Sequence, residues 1–368
     1  FDGMGMRRRS PRKAAPRKPA AQLPVARVVL DVQATHLGQP FDYFVDDSMS
    51  EAAQPGVLVR VRFGGQRVSG IIWERVNDSD TPTNAIRYIE KVVSPRVLVP
   101  SQMRRDITAV ANAYGGTIAN VLRVAMPGRV AGVEKEPNAT MQSASDVESA
   151  ADEASYADSP MVDRRGRFAS RAEDHFPVIA KAYEQAQTLR ASLTAPQGFS
   201  AFVIDALPGV GAWERMALTA MGAGKSAVLV MPGMREVWSM VHALENMGLH
   251  VFAPNARQIY EGDIAVLSAA LSPADRYRAY LAIGEGRVTC VVGTRAAMYA
   301  PVPDEALFAI VDDDAYQYAD GLMPYANARG VCRLRAKLHG GVFVAIGRAR
   351  SVLSEWESQT SSVVSEVA

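Results

Sequence analysis

The apolar pattern changes period along the chain. Val25–Val32 and Val57–Phe63 are β-branched runs bounded by Gly and Pro. After Gly64-Gly65, Arg67–Arg75 reads as the return strand of a hairpin, and residues 85–93 add one strand more. These runs predict a small β-rich domain over 25–98. Pro100-Ser101 then opens a helix with Ser101 as its N-cap, and Ile107, Val110 and Ala111 fall at helical spacing. A second helix is expected from near Thr117 to Pro127-Gly128. Two short helices on a glycine turn fit a winged-helix-like unit over 99–130; a plain packed helical hairpin is the other reading. From about 170, short apolar runs recur at Ala201–Leu207, Ala227–Met231, Leu249–Phe252, Arg287–Val292, Leu307–Val311 and Val342–Ile346, with helical stretches at 233–247, 272–283 and 326–338. Strand and helix alternating at this spacing predict an α/β fold with a doubly wound parallel sheet over 170–358. Ligands of such sheets gather at the carboxyl ends of the strands.

Charge changes the picture between these blocks. The formal net charge is only +1, but seven basic residues lie at Arg7, Arg8, Arg9, Arg12, Lys13, Arg17 and Lys18. Residues 1–24 are expected as a basic disordered arm, able to attract nucleic-acid phosphates or simply to be solvated. Between 131 and 163 eight acids face one base, so 131–169 reads as an acidic linker. Residues 359–368 are left as a tail. No apolar run is long enough to span a bilayer. Cys290 and Cys332 have no metal-ligand spacing, which points away from zinc and from a disulfide framework and toward a reducing, cytoplasmic setting. No cofactor is expected in this chain.

The carboxyl ends of the predicted strands are where chemistry belongs. Val311 is followed by Asp312-Asp313-Asp314-Ala315, either magnesium-holding carboxylates of an ATPase or a turn in which aspartates bond their own backbone. A phosphate loop would read G-x-x-x-x-G-K-[ST]. Gly222-Ala223-Gly224-Lys225-Ser226 ends that way, but Thr219 stands in the opening glycine's place and a strand follows. Lys225 is therefore expected as an exposed turn lysine. The loop after the first core strand fits by position instead. Counting from Gly209, Glu214 replaces the second glycine, Arg215 the lysine and Met216 the hydroxyl residue. The reading is a degenerate nucleotide site of Gly209, Glu214, Arg215, Asp312 and Asp313, with no catalytic residue. The five histidines show no paired-ligand spacing.

Several phrases together resemble one family. Val291-Val292-Gly293-Thr294-Arg295-Ala296-Ala297-Met298-Tyr299-Ala300-Pro301, the preceding Leu271-Ser272 and Gly284-Glu285-Gly286, the acidic box at Asp312, and Pro324–Arg329 resemble motifs of helicases of the PriA type (primosomal protein N′, replication restart). Pro40-Phe41-Asp42-Tyr43 and Pro55–Gly64 resemble that family's N-terminal DNA-binding domain. The pattern is similar to actinobacterial members that keep the fold without recognisable helicase motifs. The resemblance implies a RecA-like lobe, forked DNA and 3′ DNA ends as ligands, and single-stranded-DNA-binding protein and the replicative helicase or its loader as partners. It implies a 3′-end pocket at Phe41, Asp42, Tyr43, Gly56 and Arg87. It also implies a zinc module and a second lobe beyond Ala368, so a shortened chain is expected. Three functions follow: a fork-binding pseudo-helicase, an ATP-driven 3′–5′ helicase with an atypical phosphate site, and a protein-docking scaffold.

Overall fold

The computed structural model describes residues 17–32, 38–136, 160–195, 198–302, 305–360 and 364–366. Most of the expected arm and the middle of the expected linker lie outside them. The first six strands are β1 (Val25–Leu30), β2 (Phe41–Phe44), β3 (Val57–Phe63), β4 (Gln66–Val76), β5 (Arg87–Tyr88) and β6 (Lys91–Val97). They form one sheet in the order β5-β2-β1-β4-β3-β6. Alternate residues such as Val28, Tyr43, Val59, Val61 and Ile72 fill its interior. The opposite face sends Val29, Leu58 and Ile71 into a second core. Burial on both faces explains why β1 and β3 read as near-continuous apolar runs.

The sheet nearly closes on itself. Ile89 N donates to Phe44 O (2.9 Å) and Glu90 N to Arg60 O (2.9 Å). The stretch 85–93 is therefore not one strand, because it must cross from β2 to β3. The arm also differs from expectation over its last residues. Ala20 is buried, Lys18 O accepts from Asp47 N, and the Arg17 guanidinium lies over the Tyr88 ring. Residues 17–24 thus belong to the β-rich domain.

Helices α1 (Ser101–Ala113) and α2 (Ile118–Ala125) follow. The cap of α1 is Pro100, with no side-chain bond, so Ser101 is not the N-cap. Thr117 does cap α2, accepting from Asn120 N. Segment 99–130 holds these two helices and no strand. Met103, Ile107 and Val110 share one core with Tyr280, Met298 and Val331 of the following lobe. The two parts are joined by packing rather than tethered.

Helix α3 (Pro160–Ala182) begins inside the expected linker, so 160–169 is helical; α4 (Ala186–Thr194) follows. Then come β7 (Ser200–Asp205), α5 (Ala212–Gly222), β8 (Ala227–Val230), α6 (Met234–Asn246), a hairpin of β9 (Ala253–Pro254) and β10 (Tyr260–Glu261), β11 (Ile264–Leu267), α7 (Pro273–Gly284), β12 (Cys290–Gly293), β13 (Leu307–Val311), α8 (Ala328–His339), β14 (Val342–Gly347), α9 (Val352–Thr360) and β15 (Val364–Glu366). The parallel sheet runs β11-β12-β8-β13-β14-β7-β15. The fold is α/β, as the alternation predicts, with two corrections. Leu249–Phe252 makes only an isolated bridge at Val251, and the strand is Ile264–Leu267. The expected tail adds β15 beside β7. Among the described residues no helix is long and apolar enough to cross a membrane.

Candidate nucleotide and DNA sites

Helix α5 follows β7, so its N-terminus faces the carboxyl edge where a triphosphate would sit. Free N–H groups at such an end attract anions. Here the chain supplies its own. Glu214, in the first turn, is 7% exposed; its own backbone and the Trp213 side chain favour its charged form, but its Oε2 is buried without a hydrogen-bond partner. Burial nonetheless pushes its pKa up. Gly211, at φ 55°, makes room for this fold-back: a Cβ there would lie 3.0 Å from Glu214 Oε2 and 2.6 Å from Arg215 Nη1. Arg215 Nη1 donates to Val210 O (2.6 Å) and Gly211 O (3.2 Å), so its charge is spent on the turn.

The acidic box is likewise committed. Asp313 is buried and its Oδ2 accepts from Arg329 Nε (2.5 Å), Ser351 Oγ (2.9 Å) and Ser354 Oγ (2.6 Å). Arg329 also donates to Glu357 (2.8 Å). This carboxylate pins α8 to α9 through its Oδ2. Asp312 is exposed, at φ 50°, and partial burial pushes its pKa up, helped by Asp314 and opposed by the Arg348 backbone. These residues do not fit a magnesium–triphosphate complex.

Lys225 departs from expectation. It is 8% exposed, not a free turn lysine, and Nζ donates to Ser192 O (3.4 Å). Its stem packs under α4, so Lys225→Ala is expected to cost roughly 1 kcal/mol in urea unfolding, with nucleotide binding unchanged. Zinc does not fit either. Cys290 and Cys332 are fully buried in different cores, their thiols pushed up to about 12 by burial, and no group of three potential ligands occurs among the described residues.

In the β-rich domain the expected pocket residues separate. Side chains alternate across β2. Phe41 and Tyr43 face the interior and Asp42 the outer face. Phe41 packs on Phe63 with ring centroids 4.7 Å apart. Tyr43 is a core residue whose hydroxyl donates to Arg62 O (3.1 Å), and burial raises its pKa to about 12. It offers no free face for stacking. Arg87 is exposed and paired in register with Tyr43.

Gly56 lies apart from this group. It sits at the far end of β3 from Phe63, roughly 20 Å of strand away. It is needed there for packing, because at φ 90° a Cβ would meet Val99 O at 2.4 Å. The glycine beside the Phe41–Phe63 pair is Gly64, which the sequence offered only as a turn residue. Asp42 is 12% exposed, lies 3.8 Å from Arg27 Nε, and accepts from Ser79 Oγ.

A larger feature went unseen in the sequence. Between α2 and the carboxyl ends of β8, β11 and β12 lies a cleft of about 490 Å³, lined by Arg123, Arg276, Arg295, Tyr299, Met126 and Met298. Among the described residues, Arg276 Nε and Tyr299 Oη are buried there with no hydrogen-bond partner. Asp320 also lines the cleft, and two of its arginines have partners: Arg123 donates to Val32 O (2.9 Å) and Arg295 to Ala319 O (2.5 Å). Arg295, Met298 and Tyr299 lie within the phrase Val291–Pro301 and so carried a signal; Arg123 comes from a distant part of the chain.

Fold and sites together define a class: an α/β protein in which a nearly closed β-rich domain and two helices are packed on a parallel-sheet lobe. Residues 27–127 match the PriA 3′ DNA-binding domain (3′BD) family. The probable replication restart protein PriA of Mycobacterium tuberculosis is 33% identical over 307 residues, 82% of this chain and 40% of its own. That of Mycobacterium leprae is 32% identical over 305 residues, 82% of this chain and 41% of its own. The replication restart protein PriA of Chlamydia trachomatis is 26% identical over 179 residues, 47% of this chain and 22% of its own. The chain belongs to the PriA family, and it spans about 40% of the length of its mycobacterial relatives. Among solved structures, an S. cerevisiae dbp5 complex with nup159, gle1, IP6 and ADP gives a TM-score of 0.33 at 10% identity, over 54% of this chain and 52% of that one.

Proposed function

We propose that this chain is the DNA-holding part of a replication restart protein, and that its lobe does not hydrolyse ATP. It binds forked DNA, takes a 3′ end at the Phe41–Tyr43 strand, and lets a strand lie along the arginine cleft. Its partners on this reading are single-stranded-DNA-binding protein and the replicative helicase or its loader, in the cytoplasm. The observation that supports the reading is the first turn of α5, where the Glu214 side chain is buried beside Gly211 at the helix N-terminus. A carboxylate there repels a triphosphate.

The test is phosphate release by the purified chain with and without forked DNA. No stimulation is expected. Stimulated release that disappears in Asp312→Ala would overturn the proposal in favour of an ATP-driven helicase. Fork affinity is expected to fall with salt, because phosphate contacts release counterions. A chain that binds no fork at any salt level is a docking scaffold.

A further inference from the structure

The segment Asn77–Ile86 leaves β4 and must reach β5, which lies beyond β1 and β2 in the sheet. The interior is filled, so the chain crosses on the outer face, over Arg27, Asp42 and Glu74. Nearly all of this crossing is exposed. Ser79 and Ile86 are the exceptions, both half-buried, and the Ser79 hydroxyl donates to Asp42 Oδ2. Ser79 Oγ also accepts from Thr81 N (2.9 Å), which orients its proton toward the carboxylate. A side-chain hydroxyl thus makes the bond that a free 3′ hydroxyl would make with the same oxygen.

We propose that residues 77–86 form a strap that closes Asp42 in the free protein, with Ser79 standing in for the terminal hydroxyl of a DNA strand. The inference rests on the reading of Asp42 as an end-binding residue. An arriving end displaces Ser79, one hydroxyl for another, and the strap swings out. Displacement is easy because the strap buries little else and is anchored mainly at its root, where Asn77 Oδ1 accepts from Leu23 N (3.3 Å). Glu74 and Asp80 stand near the same Arg27 and make the surroundings acidic. A 3′ phosphate is therefore repelled, whereas a hydroxyl has only Ser79 to replace.

The full chain as wild type, Ser79→Ala, Ser79→Thr and Asp42→Asn is titrated by fluorescence anisotropy against forks ending in 3′-hydroxyl, 3′-deoxy or 3′-phosphate. Ser79→Ala is expected to bind 3′-hydroxyl forks about ten-fold more tightly, the size of one hydrogen bond to a charged acceptor, with 3′-deoxy forks remaining weaker than 3′-hydroxyl forks. Unchanged or weaker binding of 3′-hydroxyl forks by Ser79→Ala, in a wild type that does discriminate the ends, overturns the strap. Equal binding of all three ends by wild type and Asp42→Asn overturns the end-binding reading itself. Ser79→Thr keeps the hydroxyl and should behave as wild type; a gain in that variant equal to that of Ser79→Ala also counts against the strap.

Discussion

Arg335→Ala is expected to lower stability by about 3–5 kcal/mol, because it strands a buried charge. Arg335 is 2% exposed and stands at the joint between the helical pair and the sheet lobe. Its Nε donates to Asp106 (2.8 Å), and its two terminal nitrogens donate to Met298 O (2.6 Å) and Ala300 O (2.8 Å). Asp106, on α1, is also 2.5 Å from His339 Nε2. Removing the guanidinium leaves a buried carboxylate and two buried carbonyls short of a donor. Urea unfolding at neutral pH measures the loss.

The same contact predicts a pH dependence. Burial alone would raise the Asp106 pKa, but Arg335 and His339 outweigh it and hold the carboxyl below its ordinary value. A lowered folded-state pKa gives stability that is full above the unfolded value, about 4, and is lost as pH falls through the folded one. Asp106→Asn should therefore be clearly weaker than wild type at neutral pH and approach it in strong acid. A deficit that stays constant down to about pH 2 would show that the fold does not lower the Asp106 pKa.

Asp42→Ala is expected to weaken binding of 3′-hydroxyl forks by roughly ten-fold or more, one charge-assisted hydrogen bond, and to blunt the preference over 3′-phosphate forks. Internal duplex binding should hardly change, since it rests on basic side chains and phosphates. The outer-face position of Asp42, away from the interior Phe41 and Tyr43, makes this a clean substitution. The variant removes partners of Arg27 and Ser79 but no core atom. Arg27 keeps Glu74 at 2.6 Å, so the sheet loses little. Fluorescence anisotropy with forks differing only at the 3′ terminus reads the effect. Equal affinity of the wild-type chain for both ends would return residues 41–43 to a purely architectural role.

Much of this was legible from residue order because it is local. Strand and helix periods, the helix start near Thr117 and the glycine turns are set by neighbours in the chain, and so the α/β alternation could be read directly. That Glu214 and Met216 differ in kind from glycine and a hydroxyl residue was likewise visible in residue order. What locality could not supply was which apolar run enters the sheet. Leu249–Phe252 and Ile264–Leu267 look alike in sequence, but only the second is paired along its length, beside β12. Nor could it show that Glu214 folds back onto its own helix end, that Tyr43 is core, or that Gly56 serves the joint with α1 rather than a pocket. Lys225 looked exposed because α4, which covers it, lies more than 30 residues earlier. The contacts that give these residues their roles span the chain: Asp42 to Ser79 crosses 37 positions and Asp106 to Arg335 crosses 229. Such pairings depend on how the sheet order and the helix packing bring distant segments together, and that is decided by the burial of the whole chain, not by any stretch of it.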